Sequence, residues 1–476
     1  MRRYAIPALG GMGLATAFFM PIAAAGTIGA PMLMWSGLHT VELVCAWLVW
    51  STVAGFGLGW IHDRARPRRE AAVTFALALP SLLSLLATTG RNAVAAGEGP
   101  SSIRLFAVSG LAVGLIVAAV LWLLWPRILR GMLRGMLPFG VLLLIPTVPA
   151  LLALPMPHRS GFAEEAVTAT ATATSGARSA EEARLAAGAG PCRDTYVLLL
   201  DELAYDAAFS DGRATLPSLV GRMASSRVYH RALAPTASTD SSISSYVSSS
   251  AKRGAIGSVD AAGIFSVAQA AGMDTEVMGW YYPYCESLAS LATRCRAFSM
   301  YNAATSYDGF SLTAPIETVF NIWPYQMPTG LMKRPFAVRL HRAELAAITA
   351  GAGAPPPARP VFRWVHFNVP HLPWLDETGF LAARAFDPTR EHYLRQVEEA
   401  DRALGATFAA IDRNAGGRPT TVVVTADHGS RAGLAGDPLH VPLVIWTPNG
   451  AHQDINDEVR VADILKSVVS SACRPR

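Results

Sequence analysis

This sequence predicts an α/β domain with a mostly parallel sheet flanked by helices, preceded by an all-α membrane domain of about five transmembrane helices. Three observations carry that prediction. The first third of the chain holds long apolar spans with basic residues at alternate ends. From residue 193 onwards, short apolar strand-like runs alternate with helical stretches. Two of those runs, Tyr196 to Leu200 and Thr421 to Thr425, stop at residues suited to a metal, Asp201-Glu202 and Asp427-His428.

The 476 residues are 51% hydrophobic and only 16% charged, too apolar for a wholly soluble protein. Spans near 5 to 27, 38 to 61, 71 to 89, 104 to 125 and 136 to 155 each have roughly 20 residues, the length that crosses a bilayer. The first is too long for the apolar part of a cleavable signal, and four more follow it. Arg2 and Arg3 precede the first span, Arg64, Arg66, Arg68 and Arg69 follow the second, and Arg127, Arg130 and Arg134 follow the fourth. The intervening loops 28 to 37 and 90 to 103 carry only Arg91. Basic residues stay inside, so the amino terminus is expected in the cytoplasm and everything beyond about residue 156 outside. Trp60, Trp122 and Trp125 would then lie at the cytoplasmic interface. The expected location is the cytoplasmic (inner) membrane, multi-pass, with an extracytoplasmic domain on its outer face. The net charge of +5 reflects these membrane loops, and no basic stripe on a domain points to nucleic acid.

Domain boundaries are expected at 1 to 155 for the membrane part, 156 to 190 for a linker and 191 to 476 for the outer domain. Ala, Thr, Gly and Glu dominate the linker, and no helix or strand period persists through it. Cys45 lies inside a span, leaving Cys192, Cys285, Cys295 and Cys473 as an even set in an oxidising compartment. Of the three possible pairings, Cys285 with Cys295 closes a short loop, and Cys192 with Cys473 staples the two ends of the outer domain. Within that domain, strands are predicted at 196 to 200, 275 to 279, 361 to 367, 420 to 425 and 442 to 446, with helices at 261 to 271 and 391 to 412. Ligands of open α/β sheets bind beyond the carboxyl ends of the strands, so two apolar strands ending in acidic and imidazole groups can converge on one divalent cation.

With these residues in view, the outer domain resembles the sulfatase-like branch of the alkaline phosphatase superfamily. Five spans followed by such a domain resemble the lipoteichoic acid synthases and the lipid A phosphoethanolamine transferases. The resemblance covers about 190 to 470, and its motifs come in the family's order. Asp201-Glu202 matches the first metal ligands. The stretch from Ala234 to Ser248 is similar to the nucleophile segment, in a register that makes Thr239 the nucleophile. Pro370-His371-Leu372-Pro373-Trp374 looks like the turn whose His approaches the transferred group. Asp427-His428-Gly429 matches the second ligand pair, and His440-Val441-Pro442-Leu443 resembles the strand that follows it. Val461-Ala462-Asp463-Ile464 resembles the closing strand and helix.

The resemblance implies one or two divalent metal ions, Zn, Mn, Mg or Ca, held by Asp201, Asp427, His428 and Glu202. It implies attack by Thr239, with His371 stabilising charge or protonating the leaving group. Ser238 and Ser241 are alternative nucleophiles if Thr239 only caps a helix. His440 is open between metal ligand, substrate contact and buried residue, whereas His366 reads as a core histidine. Trp280 and Tyr282, with Tyr281 and Tyr284, form either a substrate-facing wall or packing around the Cys285 loop. The apolar, Pro-broken run from Phe320 to Pro328 reads as a lid, a membrane-docking surface or core.

Sulfatases proper carry a Cys or Ser that becomes formylglycine, in a Cys/Ser-x-Pro-x-Arg frame. Here the position is Thr239, Ser241 replaces the Pro and Ile243 replaces the Arg. Their Gly-Lys-Trp-His stretch reads Gly279-Trp280-Tyr281-Tyr282, which argues against sulfate ester hydrolysis. The segment between His428 and His440 is also shorter than in phosphoethanolamine transferases. The expected function is a membrane-anchored phosphotransferase that moves a phospho-substituent from a membrane lipid donor to an envelope glycan or lipid acceptor through a phospho-threonine. A phosphodiesterase or phosphatase using water, and an inactive scaffold, are the alternatives.

Overall fold

The structure, a computed structural model, describes residues 15, 18, 19, 43–53, 56, 192–247, 263–282, 284–288, 290–298, 316, 318, 319, 333–377, 384–414, 417–430 and 433–473. The chain divides into two compact units, one of Met1–His158 with Ser306–Phe336, the other of Arg159–Thr305 with Ala337–Arg476. Four of the five expected spans lie wholly or almost wholly outside the described residues, as do the linker and the run from 320 to 328. Within the second span, residues 43–53 are helical. Among the described residues no helix is long and apolar enough to cross a membrane.

The second unit is built on one twisted sheet. In chain order its elements begin with β1 (Asp194–Asp201), α1 (Tyr205–Ala208), the two-strand hairpin β2 (Phe209–Ser210) and β3 (Arg213–Ala214), and α2 (Pro217–Val220). Next come β4 (Ser226–Leu233), α3 (Thr239–Val247), α4 (Ile264–Ala270), β5 (Asp274–Trp280), α5 (Tyr284–Ser287), β6 (Arg294–Phe298) and α6 (Lys333–Ala352). The chain closes with β7 (Val361–Pro370), α7 (Arg390–Asn414), β8 (Thr420–Ala426), β9 (His440–Trp446), β10 (Gln453–Arg460) and α8 (Val461–Ser471).

The eight strands of the main sheet lie in the order β10-β4-β9-β8-β1-β7-β5-β6. All pairings are parallel except those of β9 with its neighbours β4 and β8, so the sheet is mostly parallel, as expected. Every residue of β1, β7 and β8 is buried. Strands covered on both faces need near-continuous apolar runs, and Tyr196 to Leu200, Trp364-Val365 and Val422 to Val424 supply them. At one edge, β10 is mostly exposed and carries Asp454, Asp457, Glu458 and Arg460, charges that discourage pairing with another chain.

Helix α7 buries Tyr393, Val397, Ala400, Leu404, Phe408 and Ile411, one face at helical spacing, and packs on β7. Five strands of this sheet, β1, β5, β7, β8 and β9, were anticipated at their places, each longer in the structure by one to three residues. β4, β6, β10 and α6 were not anticipated. Their sequences lack a sustained apolar run, because β4 and β10 lie near or at the sheet's edge and half-face solvent.

Both expected disulfides form. Cys192–Cys473 joins the residues just before β1 to the end of α8 with Cα atoms 4.3 Å apart, and Cys285–Cys295 ties α5 to β6 at 5.4 Å. The first spans 281 residues of sequence and restricts the unfolded chain most. Replacing Cys192 and Cys473 together by Ser is expected to lower the unfolding free energy by about 2–5 kcal/mol, measured by thermal unfolding against the wild type.

Candidate active site

The carboxyl ends of β1, β4, β5, β7 and β8 lie along one edge of the sheet, joined there by the start of the reversed strand β9. Asp201 closes β1, where the pairing to β7 shifts register between Leu200 and Asp201, a bulge that re-aims the side chain at the strand end. Glu202 follows in the left-handed region at φ 69°, a conformation that costs free energy in a residue other than glycine. Two contacts hold it there. The Glu202 amide donates to Asp427 Oδ1 at 3.0 Å, and Tyr393 on α7 donates to the Glu202 carbonyl at 2.8 Å while accepting from the Ala204 amide at 3.0 Å.

Asp427 and His428 leave the end of β8 fully buried. The Asp427 Oδ1 atom also accepts from the His428 amide at 2.8 Å. His428 Nδ1–H donates to the Gly429 carbonyl at 2.6 Å, so in the neutral ring the lone pair is on Nε2. That lone pair lies 3.3 Å from Asp427 Oδ2, an atom with no hydrogen-bond partner. A carboxylate oxygen beside an imidazole nitrogen, both buried, suits a cation. One ligand atom each from Asp201, Asp427 and His428 fall within 4.8 Å of one another. Carboxylate oxygen and imidazole nitrogen suit a divalent metal, so the residues present fit one.

Thr239 is the first residue of α3 and is buried. Its Oγ1 lies 3.2 Å from His428 Nε2 and 3.5 Å from Asp201 Oδ1. Tyr246, two turns along the same helix, donates to the Ala426 carbonyl at 3.1 Å and so fixes α3 against the end of β8. The Ser238 and Ser241 hydroxyls instead point at one another, 3.4 Å apart. Asp240 stands in the first turn of α3, where a negative side chain favours the helix dipole; this is a physical account of an acidic residue beside the cluster.

His371 follows β7. Its Nδ1–H donates to the Leu372 carbonyl at 2.5 Å, and its Nε2 faces Glu202 Oε1 at 3.8 Å. Glu202 thus turns away from the Asp427–His428 pair and groups with Asp201 and His371, whose ligand atoms also lie within 4.8 Å of one another. Of the residues expected to touch substrate, His440 is not brought to this cluster. Its Nε2 donates to the His230 carbonyl at 2.8 Å, and its ring stacks on Tyr205 with centroids 4.1 Å apart. Trp280 packs beside His371 at 5.1 Å, yet it is buried and its indole N–H donates to Glu344 Oε2. Tyr282 is buried with its hydroxyl 3.4 Å from Ser244 Oγ.

Beneath His371 lies a polar network that the sequence reading missed. His341 Nε2–H on α6 donates to the His371 carbonyl at 3.1 Å, and Gln396 on α7 donates to the same oxygen at 3.2 Å. His341 Nδ1 accepts from Asn368 at 3.1 Å, and Asn368 and Trp280 both donate to Glu344 Oε2. Burial holds the Glu344 carboxyl well above the usual range. The signal was a polar alternation inside an apolar strand, His366 and Asn368 two apart on β7, matched by His341 and Glu344 three apart on α6.

A sequence-family model described as "Sulfatase" matches residues 208–472, more than half of the chain, and takes in Thr239, His371, Asp427 and His428. The chain belongs to the sulfatase family. It is thereby a member of the alkaline phosphatase superfamily. No curated protein sequence matches it. Among solved structures, Ps i-CgsB in complex with k-i-k-neocarrahexaose is 15% identical, with 59% of this chain and 72% of that one covered, at a TM-score of 0.43. An alkaline phosphatase superfamily protein from Vibrio parahaemolyticus is 14% identical over 60% of this chain and 67% of that one, at 0.40. A phosphonate monoester hydrolase of Agrobacterium radiobacter is 14% identical over 58% and 72%, at 0.37. All three scores are low, and the family assignment rests on the matched sequence.

Burial, reinforced by the neighbouring His371, pulls His341 of this sulfatase-family domain down from 6.5 to about 3. The unfolded chain takes up that proton near pH 6.5, so the stability His341 contributes is present above this pH. It is lost as the pH falls towards the folded value, at about 1.4 kcal/mol per pH unit for one group. Urea unfolding at a series of pH values should show His341→Gln with a shallower decline between pH 6 and about 4 than the wild type.

Proposed function

We propose that this sulfatase-family chain is a membrane-anchored, divalent-metal-dependent phosphotransferase acting through Thr239 on a membrane lipid donor and an envelope glycan or lipid acceptor. The observation that carries the reading is a buried threonine hydroxyl 3.2 Å from an unprotonated His428 Nε2 and 3.5 Å from Asp201, where sulfatases proper require a formylglycine precursor. Threonine cannot form the aldehyde hydrate that takes up sulfate, but its hydroxyl can attack phosphorus once its proton is weakened.

A divalent ion held by Asp201, Asp427 and His428 would favour the Thr239 alkoxide and polarise a phosphoryl oxygen. Thr239 loses its hydroxyl proton to solvent as the alkoxide forms. Its Oγ1 then bonds to phosphorus as the bond from phosphorus to the lipid alcohol breaks, and Thr239 returns to the alkoxide at the end of the cycle. His371, whose Nε2 can hold a second proton against Glu202, gives that proton to the departing oxygen. An acceptor hydroxyl then attacks phospho-Thr239, its proton returns to His371, and Thr239 is released. Glu202 serves His371 in this scheme more directly than it serves the Asp427–His428 cluster.

The anchor is supported by the five apolar spans and their alternating Arg loops. It is supported too by the helical residues 43–53 and Phe56, where Val44, Leu48, Val49, Val53 and Phe56 form an exposed apolar set. A multi-pass inner-membrane protein with an extracytoplasmic catalytic domain also accounts for two disulfides in the second unit.

Intact-protein mass spectrometry after incubation with a panel of phospholipids tests the reading. The wild type is expected to gain a phospho-substituent whose mass names the transferred group, and Thr239→Ala is expected to gain none. An adduct that persists in Thr239→Ala would move the nucleophile elsewhere, and free lipid alcohol released without any adduct or acceptor product would make the protein a hydrolase. In steady-state turnover, His371→Ala should lower kcat by about 10²–10⁴-fold.

A further inference from the structure

Among the buried groups that the scheme above leaves unused, His366 stands against the cluster. It lies in the middle of β7, wholly buried, with Nε2 3.6 Å from Asp201 Oδ2 and without a hydrogen-bond partner. That separation is a polar contact, too long for a hydrogen bond. On the other side of the ring, Nδ1 lies 3.0 Å from the hydroxyl of Tyr284, itself fully buried on α5. The Tyr284 ring is held in place from two directions. Cys285, the next residue, is tied to β6 through Cys295, and the ring fills the space a side chain would need at Gly279, where a Cβ would collide with it.

We infer that Tyr284 and His366 are positioning residues that orient Asp201 for cation binding, through a relay running from the Tyr284 hydroxyl to His366 and from His366 Nε2–H to the carboxylate. The direction follows from the two possible tautomers. With the proton on Nδ1, a bare Nε2 lone pair would face a carboxylate oxygen where both groups are buried, two negative ends opposed. With the proton on Nε2, Tyr284 donates to Nδ1 and a positive N–H end faces Asp201. Carboxylates that hold a metal are commonly steadied by such outer groups, and a Phe–Leu pair would fill the same space if packing were the only role. This rests on the reading of Asp201 as a metal ligand.

Two measurements on the full-length protein separate the relay from that reading. Nitrogen-15 NMR of histidine in the metal-free protein should show His366 protonated at Nε2; protonation at Nδ1 overturns the relay whatever the metal result. Titration with Zn²⁺ and Mn²⁺ should then show His366→Leu binding about 10–100-fold more weakly than the wild type. His366→Gln, whose amide N–H overlays Nε2, should recover most of that loss, and Tyr284→Phe should fall between. Equal affinity in the Leu variant, or a Gln variant no better than Leu, reduces His366 to packing. Should the Leu variant fail to fold, the comparison of Gln with Tyr284→Phe decides. If the wild type binds neither ion, the metal reading fails and the tautomer alone decides the relay.

Discussion

Two carboxylates buried at the ends of neighbouring parallel strands are the constraint from which the rest of the second unit follows. Asp201 and Asp427 have no solvent exposure, and charges of like sign in a dry site are costly by several kcal/mol each unless something positive sits between them. The fold supplies some relief through main-chain donors, two of which reach Asp427 Oδ1. The second oxygen of Asp427 faces an imidazole lone pair. Such an arrangement is stable with a cation and strained without one. A sheet whose central strands β8, β1 and β7 are buried throughout is what keeps water from softening that requirement.

Around this centre each covering helix contributes a fixed hydrogen bond from a residue with little freedom. Tyr246 anchors α3 to the end of β8, Tyr393 on α7 clamps the turn after β1, and His341 on α6 shares the His371 carbonyl with Gln396. None of these residues is placed to react. They convert helices that could slide into helices with one seating, and distances of a few tenths of an ångström matter where a hydroxyl must meet the atom it attacks in line. The neutral state of His341 belongs to the same logic. A charged imidazole there would repel any proton held on His371 and would sit unpaired in the core.

Under the proposed function, a buried reactive hydroxyl must meet a lipid head group, which poses a problem of access. Lipid head groups are polar and mobile near the interface, while the Thr239 cluster is closed to solvent in this conformation. Under the proposed function, an anchor in the first third of the chain keeps the donor at high local concentration.

Much of the second unit was legible in sequence, because buried parallel strands write themselves as apolar runs and strand ends in such sheets carry function. Asp201, Asp427 and His428 could be marked for that reason, and Thr239 by its place in an ordered set of motifs. The disulfides followed from an even cysteine set, the short loop between Cys285 and Cys295, and the place of Cys192 and Cys473 at the two ends of the outer domain. The edge strands β6 and β10, and β4 beside β10, were not legible, since half-exposed strands carry mixed polarity that resembles loop. The partition of the acidic residues was decided only by tertiary structure. Glu202 adjoins Asp201 in sequence, yet a left-handed backbone turns it towards His371, and His440 resembles a site residue in sequence while its Nε2 is committed to a carbonyl of β4. Sequence determines which groups arrive at the strand ends, through the period and polarity of each strand. Which atoms of those groups face one another is set by backbone twist and by contacts between residues far apart in sequence, such as Glu202 with Asp427, 225 positions apart, and no local pattern encodes those.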